Sequence, residues 1–230
     1  MGIQILKKLA AGLTVSVLST AAFSAPIVAD LEDATNGGGF FATVTIEDIG
    51  LNTVKITADI AASINAGNAG LTQGDILGLW FDLSDFSKLS GLASVSNPSV
   101  PISGNIVFGD NAVTTKPFPD NNVSLQGTNS GPWDLAVQLG NNGSSLGFIQ
   151  TVSFDLTILG LDQSQFFDKR VGMRVQSIAG VAGFTSSKLL GDGEGGGDPD
   201  PDPNPVPVPG TVLLLGIGLL GLRFMRRAAL

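Results

Sequence analysis

The chain contains neither histidine nor cysteine in its 230 residues. Those two absences exclude Ser-His-Asp triads, cysteine nucleophiles, imidazole general bases and His/Cys zinc sites. They also leave no disulfide to staple the fold, so stability has to come from packing. Charge is sparse and lopsided: 12 Lys and Arg against 20 Asp and Glu give a formal net charge of −8. Five of the basic residues, Lys7, Lys8, Arg223, Arg226 and Arg227, sit in two terminal segments, and removing those five positive charges takes −8 to −13. Nucleic acid and anionic lipid headgroups are poor partners for such a surface. No internal repeat of fixed period is present.

The catalytic options that survive use carboxylates or a Ser-Lys pair. Asp82 and Asp85 flank Leu83-Ser84 at the end of an apolar run, and a glycosidase needs two carboxyls about 5 to 9.5 Å apart across a cleft. Nothing else in the sequence marks a cleft, so solvated loop carboxylates are the simpler reading. Ser186-Ser187-Lys188 reads as a terminal strand or surface loop. Gly37-Gly38-Gly39 lacks the strand, lysine and helix context of a phosphate loop and reads as a turn. The expectation is a protein that is not an enzyme and has no cofactor or metal.

What is present is period-two alternation. Ala42, Val44 and Ile46 alternate with Thr43, Thr45 and Glu47; beyond residues 48–52, Val54, Ile56, Ala58 and Ile60 alternate with Thr53, Lys55, Thr57 and Asp59. This is the pattern of a hairpin with one wet face. Similar runs contain Leu77, Leu79, Phe81 and Leu83; Ile106 and Phe108; Trp133, Leu135, Val137 and Leu139; Val152, Phe154, Leu156 and Ile158; and Val171, Met173 and Val175. Gly, Asn, Pro and Ser clusters separate them. The pattern predicts an all-β domain over residues 25–190, a single antiparallel β-sandwich of jelly-roll or cohesin-like arrangement. One short helical turn is expected at residues 161–167, capped by Asp162.

Alternation also singles out Trp80. Placing Leu77, Leu79, Phe81 and Leu83 on one face sends Trp80 to the other, beside Asp82. An exposed Trp next to a carboxylate is a candidate sugar contact, whereas a Trp covered by a loop is simply core. Trp133 is in phase with Leu135 and Val137 and reads as core.

The two ends carry addresses. Lys7 and Lys8 precede an apolar stretch over residues 9–22, and Ala22-Phe23-Ser24 places small residues at the two positions a signal peptidase reads, giving a signal peptide over 1–24. Residues 191–205 form an acidic Gly/Asp/Pro linker whose alternating prolines favour an extended spacer. Its Asp198, Asp200 and Asp202 invite a calcium reading, but the interleaved prolines keep the carboxylates from curling round an ion. Then come Val206-Pro207-Val208-Pro209, an apolar run over 210–222, and Arg223, Arg226 and Arg227. As a helix at ~1.5 Å per residue, residues 210–225 reach roughly 24 Å, a little short of the ~30 Å hydrocarbon core. The arginines mark the cytoplasmic side of this short transmembrane helix and place the domain outside.

This layout resembles the PEP-CTERM proteins, which membrane-bound exosortases sort and process. The resemblance covers residues 206–230 and the general arrangement. Val206, Pro207 and Pro209 match the recognition motif, and Val208 stands where members usually have Glu. The choice between processing by a variant exosortase and retention as a plain anchor stays open. The resemblance implies a membrane-anchored precursor in a Gram-negative-type bacterium, delivered to the cell surface or extracellular matrix. Signal peptidase and an exosortase-like enzyme are its implied partners and extracellular polysaccharide a candidate one. A structural or adhesive role leads, followed by a carbohydrate- or calcium-dependent binding module and then a carboxylate-based glycan hydrolase.

Overall fold

The computed structural model describes residues 24–35, 40–60, 71–119, 122–128, 130–141, 147–180 and 185–195. The chain divides into two units between Gly195 and Gly196. Residues 1–23 of the predicted 1–24 signal peptide, Gly37-Gly38-Gly39, residues 196–205 of the predicted linker and the whole 206–230 segment lie outside the described residues.

Among the described residues of the first unit there are ten strands: β1 (Ile27–Asp33), β2 (Phe40–Gly50), β3 (Thr53–Asp59), β4 (Gln73–Phe81), β5 (Ser90–Ser96), β6 (Ile106–Val113), β7 (Trp133–Gln138), β8 (Thr151–Leu159), β9 (Arg170–Ala179) and β10 (Ser186–Gly195). All pair antiparallel in one continuous sheet of order β5-β8-β3-β2-β1-β10-β9-β4-β7-β6. The first and last strands therefore meet at its middle. The sheet curls over a single interior, so the two layers of the sandwich belong to one ladder. Across the seam the rings of Phe86 and Phe108 stack with centroids 4.7 Å apart. Nearby, Ser99 N donates to the Ser153 carbonyl and Ser103 N to the Leu139 carbonyl, both at 2.8 Å.

The predicted β2–β3 hairpin forms about Asn52, which takes the left-handed conformation (φ 61°) that asparagine tolerates. Register aligns Ile46 with Ile56 and Ile56 with Phe154, so three strands deliver one apolar row to the core. Each such fully buried side chain contributes about 1.5–3 kcal/mol relative to exposure. The alternate positions pair Thr45 with Thr57 and Glu47 with Lys55 on the wet face. The helical turn is a 3-10 turn over Gln163–Phe166, and the Asp162 carboxylate accepts from Ser164 N at 2.9 Å.

Two stretches depart from simple alternation. A register shift between Ile76 and Gly78 turns Leu77 away from Leu79 and Phe81, which stay in the interior. Leu77 instead joins Trp80, Trp133 and Ala136 in a second cluster on the outer surface of the sheet. The other departure is β10, which extends to Gly195 and so takes in five residues read as linker. Gly191 pairs with Val171 and Asp192 with Arg170, while Gly193 faces Ala29. Those glycines are packing residues.

Buried charge gives the fold a pH signature. Asp75 is 1% exposed and its Oδ1 accepts from Ile149 N at 2.9 Å. Burial pushes its carboxyl above the ordinary 3.8, outweighing the hydrogen bonds from Ile149 and Gln176. The folded chain thus holds a proton that the unfolded chain has already released, so this group's stabilising contribution is present near pH 3.8 and is lost as pH rises through the raised value. Asp75→Asn is expected to stabilise the domain near pH 7 by about 1 kcal/mol, seen as a higher urea midpoint, and to flatten the decline of stability above pH 3.8. Parallel urea titrations of both proteins check this; equal slopes would contradict it.

Candidate functional site

The second apolar cluster exists because the described parts of the β6–β7 connection, residues 114–119, 122–128 and 130–132, lie as a strap across the outer surface of β4, β7 and β9. Its Phe118, Val123 and Leu125 are buried against Trp80 and Trp133. Trp80 meets Phe118 edge-on with centroids 6.2 Å apart. Close approach is permitted by Gly172 on β9, where a Cβ would fall 2.6 Å from Leu125 and 3.1 Å from the Trp133 ring.

Cations on β9 and β10 hold the strap by its carbonyls. Arg170 donates from Nη1 to the Ser130 carbonyl and from Nη2 to that of Pro132 at 3.1 Å, and its guanidinium lies 4.7 Å over the Trp133 ring. Its Nε donates to Asp82 Oδ2 at 2.5 Å. Arg174 donates to the carbonyls of Asn122 and Ser187 at 3.1 and 3.0 Å, and Lys188 Nζ donates to that of Gln126. Burial lowers the Arg174 and Lys188 pKa values, with Arg174's charge adding to the effect on Lys188. Beside the strap's ends lies an open groove of about 370 Å³, lined by Thr114, Thr115, Gly127, Ser130, Gly131 and Pro132.

These contacts decide the sequence-derived candidates. Trp80 is fully buried beneath the strap, so it offers no platform to a sugar, and the proposed Trp80–Asp82 ligand contact is corrected to a core residue beside an ion pair. The cause is the strap's Phe118, Val123 and Leu125, which cover the face that alternation had left open. Trp133 is buried too, but in the outer cluster rather than with Leu135 and Val137. Burial raises the Asp82 carboxyl, an effect that outweighs Arg170 and to which the nearby Asp134 charge adds. Asp134 is itself committed, accepting from Leu83 N at 2.8 Å and Asn111 N at 2.7 Å.

Asp85 faces elsewhere. It accepts from Ser87 Oγ at 2.5 Å and lies 3.2 Å from Lys88 Nζ, and these two partners hold it below the ordinary carboxylate value. The two carboxyls of the hydrolase reading are thus each engaged by a different partner, and among the described residues no carboxylate lines the groove. The Ser-Lys reading fails on strand geometry: Ser187 is buried in the strand while Lys188 points outward to Gln126. Among the described residues no group of three or more Asp or Glu is arranged to hold a metal.

At the N-terminal address, Ala22 lies outside the described residues, whereas Ser24 is described and exposed. The carbonyl of Ala25 accepts from Gln163 Nε2 at 2.6 Å, which ties the chain into the fold directly after the predicted cleavage point. At the other end, Val206, Pro207, Pro209, Arg223, Arg226 and Arg227 lie outside the described residues. No helix among the described residues is long and apolar enough to cross a membrane. Sequence reasoning missed Arg170, the hub of the strap; the available signal was a Lys-Arg pair opening a strand in an otherwise acidic chain.

Residues 205–227 match the family model of the PEP-CTERM protein-sorting motif. No curated protein matches the chain. Among solved structures, one described under pH-induced modulation of Streptococcus parasanguinis adhesion by Fap1 fimbriae aligns at 14% identity, covering 77% of this chain and 94% of that one, with a TM-score of 0.33. A likeness that loose bears on neither fold nor function.

Proposed function

We propose that this chain, which carries a PEP-CTERM protein-sorting motif at its C-terminus, is an exported, non-catalytic structural or adhesive protein of the cell surface or extracellular matrix. The motif carries the reading: it identifies a membrane-anchored precursor that an exosortase-type enzyme processes. The β domain supports the non-catalytic part, because the charged groups around the strap are engaged in structure. Asp82, Arg170, Asp134 and Lys188 each hold backbone or one another. The sequence contributes the absence of His and Cys. Extracellular polysaccharide is the partner such a matrix location supplies, and signal peptidase acts at the other end.

The proposal is tested by changing Pro207 and Pro209 together to Ala in the producing cells and fractionating them. The unchanged protein is expected in the surface or medium fraction, and the variant in the membrane fraction with its tail intact. Identical distribution of the two would count against motif-directed sorting.

A further inference from the structure

Five of the six large apolar side chains that stand exposed among the described residues lie at one end of the sheet. Four gather by register. Leu51 is at the tip of the β2–β3 hairpin and 91% exposed, and Ile49, 41% exposed, precedes it. Since Thr53 pairs with Thr157, Leu159 at the end of β8 stands beside Leu51, and it is 59% exposed. Ser90 pairs with Leu159 and Ser94 with Thr157, so Leu92, 92% exposed, bulges from the edge strand beside them. A contiguous exposed apolar patch marks an interaction surface.

Its position indicates what covers it. Two nearby cations are paired, Lys55 with Glu47 at 3.9 Å and Lys88 with Asp85 at 3.2 Å, while Asp48 beside Ile49 and Asp162 beyond Leu159 leave the rim acidic. Such a rim repels an anionic surface and leaves the apolar contact to an uncharged one. The chain also leaves the fold at this end. Gly195 pairs with Ile27, Ile27 with Ile46 and Ile46 with Ile56, a few residues from the hairpin tip. Only residues 196–209 separate Gly195 from the apolar run that begins at Gly210, a reach of at most about 50 Å.

We propose that Ile49, Leu51, Leu92 and Leu159 form a lipid-docking patch that rests on the bilayer surface while the precursor is still anchored. The inference rests on the reading of residues 210–222 as that anchor. A tether of this length keeps the patch at high effective concentration near the membrane, so a few leucines at the headgroup–acyl boundary suffice. Removal of the tail abolishes that advantage and frees the domain to leave.

The absence of native cysteine makes single-site labelling direct. The full-length chain is reconstituted into neutral phosphatidylcholine vesicles, with one polarity-sensitive fluorophore at Leu51→Cys, at Leu92→Cys or, at the far end of β8, at Thr151→Cys. Nitroxide-bearing lipid is expected to quench the labels at 51 and 92 several-fold more than the label at 151. Vesicle flotation with equal quenching at all three positions would overturn the docking while sparing the anchor. Energy transfer between labelled copies without lipid quenching would assign the patch to a second copy of the chain and likewise overturn it. Failure to float would reject the anchor itself, and the inference with it.

Discussion

Gly193→Ala is expected to cost the domain about 3 kcal/mol, a large share of the 5–15 kcal/mol typical of a folded domain. A Cβ at this position would sit 2.4 Å from the Phe166 carbonyl oxygen and 3.1 Å from Ile27. Neither neighbour can easily yield. Phe166 belongs to the 3-10 turn capped by Asp162, and its ring packs edge-on against Phe81 with centroids 5.5 Å apart. The turn is also fastened to β10 through Gly193 itself, whose N donates to the Lys169 carbonyl at 2.9 Å and whose carbonyl accepts from Asp168 N at 2.6 Å. A methyl group must therefore push the turn off the strand or the strand out of the sheet. Gly50→Ala is the control, because a Cβ there meets nothing within 4 Å. Urea midpoints should separate the two variants clearly; coincident curves would show that β10 is not packed as described.

Arg170→Met is expected to cost about 2–3 kcal/mol and to shift tryptophan emission to the red. Methionine retains an apolar stem over Trp133 but removes every donor. Asp82 then loses its partner while its other oxygen, Oδ1, is already buried without one, and the Ser130 and Pro132 carbonyls lose theirs. Stranding a partly buried carboxylate costs more than the pair contributes when intact. Arg170 is 41% exposed at its side chain, so the expected cost sits below that of a fully buried pair. A second substitution, Asp82→Asn, separates this from general damage: the double variant should be more stable than the sum of the two singles implies. Strict additivity would mean that the pair is not coupled, and unchanged emission would mean that the strap stays closed over Trp80 and Trp133 without Arg170.

The fold class was legible because alternation is strong wherever one face is wet. The residues 42–60 hairpin, β8 and β9 place their alternating apolar residues inside. Legibility failed where something other than a two-sided strand decides burial. β5, Ser-Gly-Leu-Ala-Ser-Val-Ser, is an exposed edge with little apolar content, and β10 ends in Gly-Asp-Gly-Glu-Gly, where the Asp30 and Phe166 carbonyls together with the Leu31 and Ile27 side chains occupy the space beside Gly191 and Gly193. β1 does alternate, with Ile27, Ala29 and Leu31 inside, but it directly follows the predicted leader and is short. In β4 a register shift between Ile76 and Gly78 moved Leu77 across the sheet, an event with no trace in residue spacing. Trp80 was placed on the correct face, yet its burial depends on a strap some forty residues downstream that reads as a run of turns. The sorting segment was the most legible part, since its recognition needs only a linear order of motif, apolar run and arginines.

In the proposed function both terminal segments are export devices for the domain between them. The most direct measurement of this is the intact mass of the protein recovered from the surface or medium of the cells that make it. The expected chain begins at Ala25 and lacks Arg223, Arg226 and Arg227. A mass that still includes Lys7 and Lys8 together with Arg226 and Arg227 would contradict the proposed function.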